Sequence, residues 1–126
     1  MSIKAETLEL ANWAVVGATD KKNRFGYKIV KILKENGYIV FPINPKLDEV
    51  AGRKCFSSLP EVPEKIDVVD MVVNPKIGIE VMEEVAKEKV HYVWLQPGAR
   101  SEEIRKFAEE KDIYLVEDCI YATLKE

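Results

Sequence analysis

Short apolar runs alternate with helical patterns along this chain, and this alternation limits the fold more than any other feature. The first run, at residues 12–16, is nearly continuous in apolar side chains and ends at Gly17. Runs of this kind are typical of strands that helices cover on both faces, as in parallel sheets. Strands that alternate with helices are joined by right-handed crossovers, so the sequence predicts an α/β fold built on a parallel sheet.

The individual elements follow from two periodicities. Short continuous apolar runs indicate buried strands, whereas apolar side chains three and four residues apart indicate helices that pack along one face. We predict five strands, at residues 12–16, 38–43, 67–73, 90–95 and 113–116, and three main helices, at residues 27–36, 77–89 and 101–111. Residues 7–10 are assigned to a short leading helix, and residues 47–63 to a loop with one helical turn.

These elements predict a doubly wound parallel sheet of five strands in a single domain, residues 1–126. We predict the strand order 3-2-1-4-5, which places the change of winding direction between the first and fourth strands. In such folds ligands bind outside the carboxyl ends of the strands, at the crevice where the direction changes. The loops expected to meet there are residues 17–26, 44–46, 73–75 and 96–98.

Composition and charge argue against several classes of function. The 126-residue chain has a formal charge of -3 and an isoelectric point near 5.4, without the basic excess usual in nucleic-acid binding. The sequence shows no signal-peptide pattern and no apolar run near the about 18 residues of a membrane span. Cys55 and Cys119 suggest neither a disulfide framework nor a zinc site. We expect a cytoplasmic protein that binds no nucleic acid, membrane or metal.

Three residues after the second predicted strand narrow the class of ligand. An NAD-binding chain has an acidic side chain there, about 20 residues beyond its first glycine, to accept hydrogen bonds from the ribose. This chain has Asn44, Pro45 and Lys46 instead, and an amide with an ammonium group suits a phosphorylated ribose. Asn44 either binds a nucleotide or shapes the turn, and Lys46 either contacts a phosphate or is a surface lysine.

The loop after the first strand has the composition of an anion-binding loop. Gly17 permits a sharp turn, Ala18 is small enough for a ligand to approach the backbone, and Gly26 allows close helix packing. The match to the dinucleotide-binding fingerprint is incomplete, because Thr19 replaces its second glycine. Beside the helix start, whose free amides favour anions, the chain carries Lys21, Lys22 and Arg24. The alternative interpretation is a glycine turn with a solvated basic loop.

Other polar residues near the predicted crevice also have two interpretations each. Gln96 either reaches into the crevice or belongs to a turn, and Asn74 is held extended by the following proline whatever its use. His91 lies at the opposite end of its strand, and we assign it a structural role. We find no catalytic constellation: Cys119 has no basic partner in the sequence, and a carboxylate pair at residues 117–118 is left as an alternative.

Motifs spread over nearly the whole chain resemble those of a known family. They are Val15-Val16-Gly17-Ala18-Thr19, Arg24-Phe25-Gly26, Gly37-Tyr38, Pro42-Ile43-Asn44-Pro45-Lys46, Gly52 with Ser58-Leu59-Pro60, Asp67-Val68-Val69-Asp70, Trp94-Leu95-Gln96-Pro97-Gly98 and Cys119. On these motifs the chain resembles compact CoA-binding proteins. These are single Rossmann-like domains, similar to the CoA-binding domain of succinyl-CoA synthetase alpha subunits and NDP-forming acyl-CoA synthetases.

The resemblance implies that residues 1–126 bind coenzyme A or an acyl-CoA, with no catalysis by this chain alone. It implies that the first loop holds the phosphates, the second holds the ribose-phosphate end, and later loops line the crevice. The implied contacts are Gly17, Ala18, Thr19, Asp20, Arg24, Asn44, Lys46, Val73, Asn74 and Gln96. Many family members have basic residues in place of Val73 and Asn74 and an arginine in place of Asp118, so the chain departs from the family there.

Two further functions remain open from the sequence. An NADP-binding enzyme, or a subunit of an oxidoreductase, would use Lys46 on the 2′-phosphate, although the glycine fingerprint is incomplete. A regulator would sense CoA and pass the signal to a protein partner, for which the sequence identifies no surface.

Overall fold

The computed structural model describes residues 2–125, and it contains one main sheet, a small hairpin and several helices. The strands are β1 (Asn12–Val16), β2 (Ile39–Ile43), β3 (Glu49–Val50), β4 (Arg53–Lys54), β5 (Val68–Met71), β6 (Tyr92–Leu95) and β7 (Tyr114–Val116). The helices are α1 (Ile3–Leu8), α2 (Phe25–Glu35), α3 (Pro75–Lys87), α4 (Glu102–Glu110) and α5 (Ile120–Leu124), with a 3-10 turn at Leu59–Glu61.

The predicted five-stranded parallel sheet is confirmed, and helices cover both of its faces. Alternate side chains of each strand point to opposite faces. In β1, Trp13 and Val15 pack with α1, α2 and α5, whereas Ala14 and Val16 pack with α3 and α4. This arrangement buries both faces of the sheet.

The predicted strand order, 3-2-1-4-5, is wrong. The observed order is β2-β1-β5-β6-β7, which is 2-1-3-4-5 when only the strands of this sheet are counted. The change of winding direction therefore lies between β1 and β5, not between the first and fourth strands. The crevice therefore still borders β1, but its second border is β5, the third strand of the sheet, and not the fourth strand.

The chain segment after the β3–β4 hairpin explains this order. Phe56 N donates to Pro42 O at 2.9 Å, and Asn44 N donates to Phe56 O at 2.9 Å. These bonds occupy the outer edge of β2, where Pro42 also lacks an N–H group. With that edge closed, β5 pairs with the free edge of β1, and Val69 lies opposite Ala14.

Several element bounds differ from the sequence predictions, because local caps decide them. Helix α3 begins at Pro75 rather than residue 77, since Asn74 caps it by accepting from Ile77 N at 3.0 Å. Helix α4 begins within one residue of the predicted position, because Ser101 Oγ caps it by accepting from Ile104 N at 3.1 Å. The predicted loop at residues 47–63 contains the β3–β4 hairpin and the 3-10 turn, and the short helix α5 was not predicted.

Two other sequence expectations concern membranes and disulfides. Within residues 2–125, no helix combines the length and apolar character that crossing a membrane demands. Cys55 and Cys119 are both free thiols, as the sequence predicts.

Candidate functional site

Three adjoining cavities lie along the carboxyl ends of the central strands. The β1–β2 cavity, about 290 Å³, is bounded by the ends of those strands and by α3. The glycine-loop cavity, about 320 Å³, lies against the loop between β1 and α2. The Gln96 cavity, about 150 Å³, lies beyond β5 and β6. Because Gly17 lines the first two and Phe25 and Val72 line the last two, they form one continuous carboxyl-edge groove.

The glycine loop is shaped by two positions that exclude larger residues. Gly17 has a φ of +98°, and a Cβ atom there would lie 3.0 Å from the carbonyl oxygen of Val72. A Cβ atom on Gly26 would lie 2.2 Å from the carbonyl oxygen of Gly17. Helix α2 therefore packs directly on the loop backbone, and the predicted close-packing role of Gly26 is confirmed.

The glycine-loop cavity is electropositive. Lys21 and Arg24 line it together with Thr19, and neither basic side chain forms a salt bridge within residues 2–125. Helix α2 starts beside it, and no side chain caps the free amides at its start. Cations and free helix amides together suit an anion. Asp20, in the same loop, is exposed to solvent.

Asn44 joins the two loops that follow β1 and β2. Its Nδ2 donates to the carbonyl oxygen of Ala18 at 2.8 Å, and its Oδ1 accepts from Lys46 N at 2.8 Å. These bonds support the interpretation that Asn44 shapes the turn, while the residue also lines the β1–β2 cavity. The side chain of Ala18 is fully buried, and Lys46 is exposed and lines none of the three cavities.

The two candidates after β5 occupy different positions. Val73 lines the β1–β2 cavity. Asn74 is exposed and lies outside the groove, and its side-chain oxygen caps α3. The structure thus brings Val73 to the groove and leaves Asn74 at its margin.

Gln96 lies at the floor of the groove above a buried carboxyl group. Its Nε2 donates to Asp70 Oδ1 at 2.6 Å, with Gln96 only 4% exposed and Asp70 fully buried. Burial raises the pKa of Asp70 to about 7, and the hydrogen bond from Gln96 opposes this shift. Asp70 Oδ2 has no hydrogen-bond partner within residues 2–125. The sequence signal for this pair was an aspartate inside an otherwise apolar strand.

The carboxylates after β7 are held in separate ion pairs. Glu117 accepts from Arg105 at 2.7 Å and 2.8 Å, and Asp118 accepts from Lys4 at 2.6 Å. The hydrogen bond from the neighbouring cation lowers the pKa of each carboxyl group. These pairings give no support to an acid–base pair at residues 117–118. His91 lies at the amino edge of the sheet and lines a different cavity.

Two exposed apolar side chains on the rim were not among the predicted site residues. Phe25 is 53% exposed and Ile77 is 48% exposed, and each lies in the first turn of a helix that borders the groove. Little in the sequence indicates these two residues, because apolar residues in the first turn of a helix are equally typical of the core.

The comparisons with known proteins identify the family. The sequence profile of a family described as the CoA binding domain matches residues 11–125. The chain therefore belongs to this family of CoA-binding domains, and the resemblance found in the sequence is confirmed.

Two relatives are similar over most of their length. The uncharacterized protein YneT of Bacillus subtilis is 33% identical over 108 residues, which are 85% of this chain and 80% of that protein. The structure of a hypothetical protein from Pyrococcus horikoshii OT3 has a TM-score of 0.90 and 37% identity, covering 95% of this chain and 85% of that chain.

A third relative is a much larger enzyme. The ADP-forming acetate–CoA ligase II of Archaeoglobus fulgidus is 35% identical over 98 residues, which are 76% of this chain but only 15% of the ligase. The chain is thus homologous to a small part of the ligase, its CoA-binding part.

Proposed function

We propose that this domain binds coenzyme A, free or acylated, in the carboxyl-edge groove and performs no catalysis alone. The observation that carries the proposal is the glycine-loop cavity. There Lys21 and Arg24 face the same space as the Gly17 backbone and the uncapped start of α2. This is an anion site in a chain whose family is described as a CoA binding domain.

Different parts of the ligand are assigned to different regions of the groove. The phosphates are assigned to residues 17–20 and Arg24, because the glycine loop, the Arg24 side chain and the start of α2 border that cavity. The adenosine and its 3′-phosphate extend toward Asn44 and Lys46, where the exposed ammonium group is free to swing over the ligand. The remaining contacts assigned to the ligand are Val73, Asn74 and Gln96.

The absence of catalysis by this chain alone is part of the same proposal. The curated ligases are several times longer than this chain, since the similarity spans only 15% of one and 11% of another. The carboxylates at residues 117–118 are neutralised by Arg105 and Lys4. We therefore propose a binding module whose ligand is a small molecule.

Isothermal titration calorimetry with four nucleotides tests the proposal. CoA is expected to bind tightest, and dephospho-CoA more weakly because it lacks the 3′-phosphate. NAD is expected to bind weakest, because Asn44 and not an acidic side chain stands directly after β2. Tighter binding of NADP than of CoA would favour the oxidoreductase alternative. Native mass spectrometry of freshly purified protein would identify a nucleotide that co-purifies.

A further inference from the structure

The Gln96 cavity differs from the rest of the groove in being small and mostly apolar. Its volume is about 150 Å³, and Phe25, Val72 and Pro97 form its apolar walls. The polar side chains that line it are those of Gln96 and Cys119. A cavity of this size holds a few heavy atoms of a ligand, not a nucleotide or a long acyl chain.

Gln96 presents an unused acceptor in this cavity. Its Nε2 is bonded to Asp70 at 2.6 Å, whereas its Oε1 accepts no hydrogen bond from residues 2–125. Above its pKa of about 7 the Asp70 carboxylate only accepts hydrogen bonds, so at such pH the amide nitrogen faces Asp70 and the amide oxygen faces away. Asp70 is therefore a positioning residue that sets which end of the Gln96 amide a ligand meets.

The position of the Gln96 cavity along the groove also fits the pantetheine end of the ligand. It joins the glycine-loop cavity through Phe25 and Val72, on the side opposite to Asn44 and Lys46. With the phosphates at the glycine loop and the adenosine toward Lys46, the pantetheine arm extends toward Gln96. This step rests on the proposed function.

We propose that the Gln96 cavity receives the sulfur end of coenzyme A and that Gln96, oriented by Asp70, selects the free thiol over acyl thioesters. A thiol donates its S–H to Gln96 Oε1. A thioester has no such donor, and its carbonyl oxygen would meet the amide oxygen as a second acceptor. The domain thus binds both forms but prefers unacylated CoA to its acyl thioesters.

Calorimetric titration at about pH 8, in a reducing buffer, measures the preference with CoA, acetyl-CoA and S-methyl-CoA. The wild-type protein is expected to bind CoA about tenfold tighter than acetyl-CoA, a difference of about 1.4 kcal/mol. S-methyl-CoA, which lacks both the donor and the carbonyl, is expected to fall between them.

Two variants distinguish a role of Asp70 and Gln96 in thiol selection from a purely structural role. The double variant Asp70→Asn/Gln96→Met removes the acceptor together with the buried charge. In this variant the preference should disappear, so that CoA and acetyl-CoA bind about equally. In Asp70→Asn alone, the new amide can face either end of Gln96, so the preference should be intermediate. A purely structural role for the pair would change the affinity for CoA and acetyl-CoA equally and leave their ratio intact.

The results of these titrations distinguish a failure of the thiol selection from a failure of CoA binding. Equal binding of CoA and acetyl-CoA by the wild-type protein, or a preference unchanged in both variants, would overturn the thiol selection while leaving CoA binding intact. Failure of the wild-type protein to bind any CoA form would overturn the proposed function and this inference together.

Discussion

At the scale of single residues, the groove and its margin present two kinds of polar side chain. Asn44 and Asn74 use their side chains to hold backbone, in a loop junction and a helix cap respectively. Lys21, Arg24 and Lys46 form no salt bridges within residues 2–125. The free cations are therefore the residues whose replacement should affect the ligand most and the fold least.

Replacing Arg24 or Lys46 with alanine should weaken CoA binding by about tenfold each, because each removes a charge-assisted contact worth about 1.4 kcal/mol. The Lys46→Ala effect should vanish with dephospho-CoA, since the contact is assigned to the 3′-phosphate. Calorimetry measures both. Lys111→Ala, at the opposite edge of the sheet beside His91, is the matched control. Unchanged affinity in both variants would contradict the site assignment.

Asp70 gives the protein a stability that depends on pH. Its folded pKa of about 7 is raised by burial above an unfolded value of about 3.9, so its contribution is complete below about pH 4 and is lost as pH rises through about 7. Asp70→Asn does not titrate. Its stability relative to wild type should therefore increase by about 2 kcal/mol between about pH 5 and about pH 8.

Urea denaturation at the two pH values measures this difference. Asp48→Asn, at an exposed position, should show the same pH dependence as the wild-type protein. If Asp70→Asn also parallels the wild-type protein, the buried carboxyl group does not titrate in this range and the assignment of its pKa is wrong.

At the scale of elements, the packing of α2 on the glycine loop is the most sensitive contact of the site. Gly26→Ala should destabilise the domain by about 1–3 kcal/mol, because the new Cβ atom meets the backbone oxygen of Gly17 and α2 must shift. The same shift should weaken CoA binding. Thermal denaturation and calorimetry report the two effects.

Gly78→Ala is the matched control within a helix. Its new Cβ atom would lie 3.2 Å from the end of the Ile104 side chain and 3.8 Å from Met71 Cγ, and it would meet no backbone atom outside its own helix at these distances. Alanine also gains about 1 kcal/mol of helix propensity. The stability of this variant should be close to that of the wild-type protein or higher. Similar destabilisation in both variants would show that the contact between Gly26 and Gly17 has no special cost.

The sequence predicted the strands well because their signal is local. Continuous apolar runs marked β1, β2 and β6, and the polar residues after them marked the groove. The sequence did not predict the hydrogen bonds of Phe56 to Pro42 and Asn44, which close one sheet edge. Such bonds involve residues outside the main strands, so the apolar periodicity of the sequence does not indicate them. The contact between Asp70 and Gln96 was missed for the same reason, since it joins distant parts of the chain.

At the scale of the whole molecule, ligand binding and stability are linked by mass action. Saturation with CoA at about one hundred times its dissociation constant should stabilise the domain by about 2.7 kcal/mol and raise the melting temperature by several degrees. Arg24→Ala should need about tenfold more CoA for the same rise. Differential scanning calorimetry measures both, and a melting temperature independent of CoA would contradict the proposed function.

The closed edge of β2 also restricts how another protein can associate with this one. Pro42 supplies no donor there, and its carbonyl oxygen is already taken by Phe56. An incoming extended peptide finds no vacant ladder beside the groove, so recognition by strand addition is barred at that place. At the β2 side of the groove, a macromolecule that recognises the bound state must therefore contact loops and helix ends.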